Sequence, residues 1–157
     1  MSIKEITNEN REMVVSFFEE HWGSNEMVIS TGVYQCDTLD GFIFEESNQI
    51  LGLVTYVIKE NEMEVISLDS LQEGKGIGSS LMKSVEYIAN QKRLQAVSLV
   101  TTNDNLNALK FYQKRGYRIT SVIPNGVNKA RDLKPSIPLI GNYGIPLNDE
   151  LILKKIV

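Results

Sequence analysis

The stretch from Glu62 to Thr102 reads EMEVISLDSLQEGKGIGSSLMKSVEYIANQKRLQAVSLVTT. Its first residues, EMEVISL, have the apolar and β-branched content of a strand. Three glycines follow at alternate positions, Gly74, Gly76 and Gly78. From about Ile77 to Gln91 the apolar residues Ile77, Leu81, Met82, Val85, Ile88 and Ala89 recur at helical spacing, which predicts a helix with one buried face. QAVSLVTT reads as a second strand. Strand, glycine loop, helix and strand in this order predict a right-handed crossover between parallel neighbours.

The flanking sequence extends this unit. Upstream, GFIFEE, a turn at ESNQ, ILGLVTYVIKE and a turn at Asn61 predict an antiparallel meander ending in EMEVISL. Residues Ile3 to Ile6 suit a short first strand. Asn8 or Asn10 suits the cap of a helix to Trp22 with Met13, Val14, Phe17, Phe18 and His21 on its apolar face. Residues 23–40 follow no regular pattern. Downstream, Asn103 or Asp104 is the expected cap of a helix through Lys114, with Gly116 as its stop. YRITSVI reads as a strand. KPSIPLIGNYGIPLNDE, broken by three prolines, reads as a long loop, and LILKKIV as a last strand. The expected fold class is α/β (α+β): a single mixed, mostly antiparallel central sheet flanked by helices on both faces, in one domain spanning 1–157.

Bulk properties narrow the function. With 157 residues, 42% of them hydrophobic, the chain can bury a real core. Its net charge of −4 argues against a nucleic-acid surface and suits a cationic acceptor. No apolar run is long enough to span a bilayer, and MSIKEITNENRE is too polar for a secretory signal. Cys36 stands alone, so no intramolecular disulfide is expected. With one histidine and one cysteine, a conventional zinc site is not expected either. Together these features give the expectation of a cytoplasmic protein without a metal.

The glycine run fits neither common nucleotide loop. A phosphate loop for ATP requires GxxxxGK followed by Ser or Thr; no lysine follows the last glycine here. A dinucleotide fingerprint started at Gly74 ends on Ser79, and one started at Gly76 ends on Leu81. An anion remains chemically well matched. Glycines permit close backbone approach, and a starting helix presents free N–H groups with the positive end of its dipole. Lys75, Ser79 and Ser80 add donors. The alternative is a plain tight turn. A second constellation weighs against it: Asn105, Ala108 and Tyr112 lie at i, i+3 and i+7, one stripe of the next helix, with Leu109 beside them.

These two motifs resemble those of the GNAT N-acetyltransferases. The family's acetyl-CoA loop reads Arg or Gln, two residues, Gly, one residue, then Gly or Ala. EGKGIG, Glu73 to Gly78, occupies those positions, with Gly76 and Gly78 matching and Glu73 in place of the Arg or Gln. The family's downstream pattern is Asn, two residues, Ala, two residues, an aromatic and Tyr before a Gly. Asn105, Ala108, Phe111, Tyr112 and Gly116 match it. HWGS, VISLDSLQEGKGIG, TTNDNLNALKFYQKRG and KPSIPLIGNYGIPLNDE together resemble a bacterial subgroup sometimes labelled indole-acetate (IAA) acetyltransferases.

The resemblance implies an enzyme that takes acetyl-CoA as cosubstrate and acetylates an amine, of a small molecule or a protein, by direct attack in a ternary complex. It places the pantetheine arm along EVISL, bonded by backbone near Leu68, Asp69 and Ser70. It places the phosphates at Glu73, Gly74, Lys75, Gly76, Ile77, Gly78 and Ser79. The Leu68 N–H would polarise the thioester carbonyl. Tyr112 would protonate the leaving thiolate. Glu64, on the strand that enters the loop, is the candidate base for an amine whose ordinary pKa is roughly 10.4. Other readings stay open. Glu64 shares parity with Glu60 and Glu62, as a solvent-facing residue would. Asn105 serves equally as a pantetheine ligand or a first-turn helix residue. His21 reads as a packed core histidine, Trp22 as pocket wall or core, Cys36 as inert. The alternative function is a catalytically silent CoA-binding sensor or interaction module. LILKKIV either closes the sheet or pairs across a homodimer.

Overall fold

The computed structural model describes residues 2–157. Along the chain the elements are β1 (Ser2–Glu5), α1 (Arg11–Trp22), β2 (Glu26–Ile29), β3 (Gly32–Gln35), β4 (Asp40–Glu46), β5 (Gln49–Lys59), β6 (Glu62–Ser70), α2 (Ile77–Gln91), β7 (Ala96–Thr102), α3 (Leu106–Lys114), β8 (Arg118–Ile123), α4 (Gly126–Leu133) and β9 (Glu150–Ile156). The contacts divide the chain into two compact units, one of residues 1–27, 34–97 and 157, the other of residues 28–33 and 98–156.

In the first unit, β1, β4, β5 and β6 are consecutive antiparallel neighbours. This is the meander expected from the sequence. β5 has lost the alternation of a half-exposed strand: Gly52 to Tyr56 are buried without a break, so both faces are covered. α2 covers one face. Its apolar stripe of Ile77, Leu81, Met82, Val85 and Ala89 is buried, as its spacing predicts. Gly52 lets it come close, since a Cβ there would stand 2.6 Å from Ile77 Cγ2 and 2.8 Å from the Asp69 carbonyl. α1 also packs on β5, burying Val14, Phe17 and Phe18, and ends at Gly23 in the left-handed conformation typical of a helix stop. Asn10 precedes α1 but does not cap it through its side chain. Its carboxamide instead closes the preceding turn, accepting from the Thr7 N–H at 2.8 Å and donating to the Glu5 carbonyl at 2.9 Å.

β6 carries one extra residue. Thr55 is opposite Ser67 and Tyr56 is opposite Val65, so Ile66 has no partner on β5. Leu53, Thr55 and Val57 share one face of β5, and their partners Asp69, Ser67 and Glu64 therefore share that face of β6.

In the second unit, β9 is the neighbour of both β7 and β8, and it pairs antiparallel with β8. The proline-rich stretch is more ordered than its composition suggests. Arg131 of α4 donates to the carbonyls of Ile137, Pro138 and Leu147 and to Asn128 Oδ1. The buried Asp104 accepts from the backbone N–H and the carboxamide of Asn142. Gly141 lies so close that a Cβ would stand 2.1 Å from Asp104 Oδ2. α4 and the β2–β3 hairpin have no counterpart among the elements expected from sequence.

Candidate functional site

The glycine loop leaves β6 at Ser70 and enters α2 at Ile77. Gly74 and Gly76 both have φ of 74°, a left-handed backbone that costs any other L-residue about 1–2 kcal/mol. Nothing stands within 4 Å of where a Cβ would be at either position. The glycines therefore serve the backbone's path, and the space above them is open. Gly76 is the N-cap of α2, and no side chain caps that end. The sequence thus makes a helix of fifteen residues whose positive end is exposed along with its loop. Glu73 and Lys75 are exposed, so the Glu73 carboxylate is free to point away from an anion held there. Gly78 and Ser79 are half-buried, whereas Ile77 turns its side chain into the core. Ser70 Oγ donates to the Gln72 carbonyl at 3.1 Å and so shapes the exit from β6.

The face of β6 shared by Glu64, Ser67 and Asp69 is unusually polar for a buried strand. Glu64 is buried and paired with Lys59 Nζ at 3.3 Å. The solvent-facing alternative raised by its parity with Glu60 and Glu62 is therefore excluded. Lys59 also donates to the Tyr34 hydroxyl. Ser67 and Thr55 share a buried hydrogen bond of 2.6 Å between their hydroxyls. Asp69 accepts the indole N–H of Trp22 on Oδ1 at 3.1 Å, while its Oδ2 is buried and has no hydrogen-bond partner. Burial pushes the Asp69 carboxyl up to about 6, even though the Trp22 hydrogen bond and the charge of His21 pull it down. Leu68, between these positions, is half-buried.

His21 corrects an expectation. It is exposed rather than packed in the core, with its ring tilted on Phe17 at 4.6 Å between centroids. Trp22 is half-buried and edge-on to Phe18. The Asp69 side chain is the feature that sequence reasoning missed, having assigned that residue a backbone role only. A single acid inside the apolar run VISLDSL is the signal that marks it. Cys36 is buried and free.

In the second unit, α3 begins one or two residues later than expected from a cap at Asp104 or Asn103. Asn105, and not Asn103 or Asp104, is its N-cap, accepting from the Ala108 N–H at 3.2 Å. Asn103 Oδ1 instead accepts from the N–H groups of Asn148 and Asp149, and Asp104 holds the loop at Asn142. Ala108 is half-buried and Tyr112 is buried, edge-on to Phe111 and Tyr117 with centroids at 5.1 and 5.7 Å. The Arg115 guanidinium lies 3.6 Å from the Phe111 ring centroid and donates to the Phe111 carbonyl. Among the described residues, no group of three or more His, Cys, Asp or Glu stands ready to hold a metal, and no helix is long and apolar enough to cross a membrane.

The model of the acetyltransferase (GNAT) family matches residues 7–117, which include the glycine loop and the α3 stripe. The chain belongs to that family, and its class is that of an acetyltransferase. The protein YxbD of Bacillus subtilis (strain 168) is 49% identical over 146 residues, 92% of each chain. Among solved structures, the IAA acetyltransferase from Bacillus cereus ATCC 14579 superposes with a TM-score of 0.74 at 19% identity, covering 99% of both chains. A GNAT family acetyltransferase from Elizabethkingia anophelis, solved with acetyl-CoA bound, gives 0.72 at 18% identity, covering 99% of this chain and 97% of that one. At such identities the likeness is one of fold. It bears out the expected mixed, mostly antiparallel sheet with flanking helices.

Proposed function

We propose that this chain moves the acetyl group of acetyl-CoA onto an amine, of a small molecule or of a protein, with residues 1–157 acting as one catalytic domain. One observation carries the reading. The residues that match the family's cofactor loop form an open, uncapped helix start, with left-handed Gly74 and Gly76 clear of side chains. In this reading the backbone from Glu73 to Ser79, including Ile77 and Gly78, cradles the coenzyme's phosphates, and Lys75 adds a cation at the rim. Backbone at Leu68, Asp69 and Ser70 aligns the pantetheine, and the Leu68 N–H faces the developing oxyanion.

Acetyl-CoA supplies the activated thioester; the chain supplies alignment and proton handling. Asn105, Ala108 and Tyr112 enter through the family pattern, with the Tyr112 hydroxyl as acid for the departing thiolate. An alkylammonium must lose a proton before it can attack, since its ordinary pKa is roughly 10.4. Two carboxylates of β6 are available for it: Glu64, tied to Lys59, and Asp69, with one bare oxygen. The IAA label of the Bacillus cereus structure belongs to that protein, and no residue here explains indole-acetate chemistry.

Calorimetric titration with acetyl-CoA, CoA, ATP and NAD tests the proposal. Binding of acetyl-CoA and CoA alone, followed by acetylation of an amine, is the expected result. Binding without transfer to any acceptor would instead support a silent CoA-binding module. No binding of either coenzyme would remove the reading altogether.

A further inference from the structure

At the end of α2 opposite the glycine loop, the first unit holds a cavity of about 530 Å³. Small-molecule sites commonly enclose about 300–1,000 Å³. The sheet lines it with Glu5, Asp40 and Tyr56, and α2 with Tyr87 and Ile88. None of residues 68–79 takes part. The fifteen residues of α2 set this end roughly 20 Å from the glycine loop, at about 1.5 Å per residue.

Tyr56 is the side chain that this cavity leaves incomplete. It is 7% exposed, and its ring packs on Phe42 with centroids at 6.5 Å. Asp40 is its partner across β4 and β5, and Glu5 is opposite Phe42 across β1 and β4. Both carboxylates therefore share the face of the Tyr56 ring, the face on which α2 lies. Among the described residues nothing hydrogen-bonds the Tyr56 hydroxyl. That oxygen is not sealed from solvent, as the unpartnered Asp69 Oδ2 is, so it opens on the cavity that Tyr56 lines. Burial, followed by the charges of Asp40 and Glu5, pushes the phenol's pKa up, so it keeps its proton. A buried hydroxyl without a partner costs free energy, and native structures rarely keep one idle. Neither Glu5 nor Asp40 has a cation of the described residues within 4.0 Å. Lys92 also lines the cavity, exposed and unpaired with either of them.

We propose that this cavity is a second binding site, separate from the glycine loop, for a small primary ammonium compound with an apolar body. A primary ammonium carries three N–H donors, and the wall offers three acceptors: the Glu5 and Asp40 carboxylates and the Tyr56 hydroxyl oxygen. The apolar body lies against Ile58, Ile88 and the Tyr87 ring; Ile58 is 42% exposed and Tyr87 62% exposed. The charge of Lys92 at the same cavity weighs against a ligand with a second ammonium, so the class is a monoamine. A metal ion fits less well, since no group of three or more His, Cys, Asp or Glu gathers here among the described residues. The site binds only; no bond is made or broken in it. The inference does not rest on the acetyltransferase reading.

The test is calorimetric titration with phenethylamine, its N,N,N-trimethyl analogue and 3-phenylpropionate, in the absence of any coenzyme. Wild type should bind phenethylamine, bind the trimethyl analogue at least about tenfold more weakly for want of N–H donors, and not bind the phenylpropionate. Glu5 and Asp40 are exposed, so Glu5→Gln and Asp40→Asn should fold as wild type does. Each should lose about threefold in phenethylamine affinity, and the double variant about tenfold. Tyr56→Phe keeps the ring and should lose about threefold. The double variant should bind acetyl-CoA as wild type does, which separates this site from the glycine loop. A wild type that does not bind phenethylamine would overturn the inference. So would equal affinity for the trimethyl analogue, or a folded double variant whose phenethylamine affinity matches that of wild type.

Discussion

Lys59 and Glu64 face each other across the β5–β6 turn at 3.3 Å, with the lysine side chain 46% exposed and the glutamate side chain 7% exposed. Burial lowers the lysine's pKa, but the Tyr34 hydrogen bond and the Glu64 charge outweigh it, and the net direction is up. The lysine therefore stays charged at neutral pH, and Glu64 is engaged as its ion-pair partner. Glu64→Gln should therefore keep turnover within about tenfold of wild type, well short of the 10²–10⁴-fold that a general base contributes. Steady-state kinetics checks this. A loss within that larger range would assign the base role to Glu64.

Asp69 should make stability depend on pH in a definite direction. Its ordinary value is 3.8 and its folded value about 6, so the native state binds the proton more tightly than the unfolded chain. The penalty is absent below the unfolded value, grows through the interval, and is complete above the folded one. Asp69→Asn should thus gain up to about 3 kcal/mol on wild type at neutral pH, and much less near pH ~4. Urea denaturation at several pH values measures it. Parallel stability curves for the two proteins would contradict the buried, unpaired oxygen.

Gly76→Asp should raise the dissociation constant for acetyl-CoA by at least about tenfold. It adds charge repulsion at a phosphate position and a left-handed penalty of about 1–2 kcal/mol. Calorimetry on the folded variant decides. Unaltered affinity would show that the phosphates lie elsewhere.

Asn105→Ala should destabilise the protein by about 1 kcal/mol through loss of the α3 cap, and Asn105→Asp should restore most of it. Thermal denaturation reads both. If instead the alanine variant folds as stably as wild type but binds CoA poorly, Asn105 acts as a ligand more than as a cap.

Tyr112→Phe should lower turnover at saturating substrate by about tenfold or more while leaving acetyl-CoA affinity nearly intact, since only a hydroxyl is removed from a buried ring. Single-turnover kinetics beside calorimetry separates the two. Equal turnover would take Tyr112 out of proton transfer.

Much of this fold was legible because its signals are periodic. The α2 stripe from Ile77 to Ala89 repeats cleanly, and the strands of the meander are separated by short polar turns. What escaped was short or aperiodic. β2 and β3 span four residues each, too few to show a pattern, and α4 follows a left-handed Asn125 that looks like a loop residue. The cap of α3 was misplaced because Asn103, Asp104 and Asn105 are all good caps, and tertiary contacts with residues 142–149 claimed the first two. The glycine loop could be found from the alternate spacing of Gly74, Gly76 and Gly78 before a helical stripe. The orphan oxygen of Asp69 could not, because it depends on Trp22 arriving from a helix 47 residues away.

The unpaired Ile66 of β6 works on side chains as a one-letter insertion works on a reading frame. Downstream of it, odd-numbered residues face one way; upstream, even-numbered ones do. Deleting that residue would keep Glu64, Ser67 and Asp69 on one face by plain alternation, whereas keeping it without the bulge would put Val65 and Met63 there and turn Glu64 toward the side that α2 covers. A comparison of related chains by parity alone would thus misassign every residue before the insertion, and gaps aligned at this point carry chemical meaning.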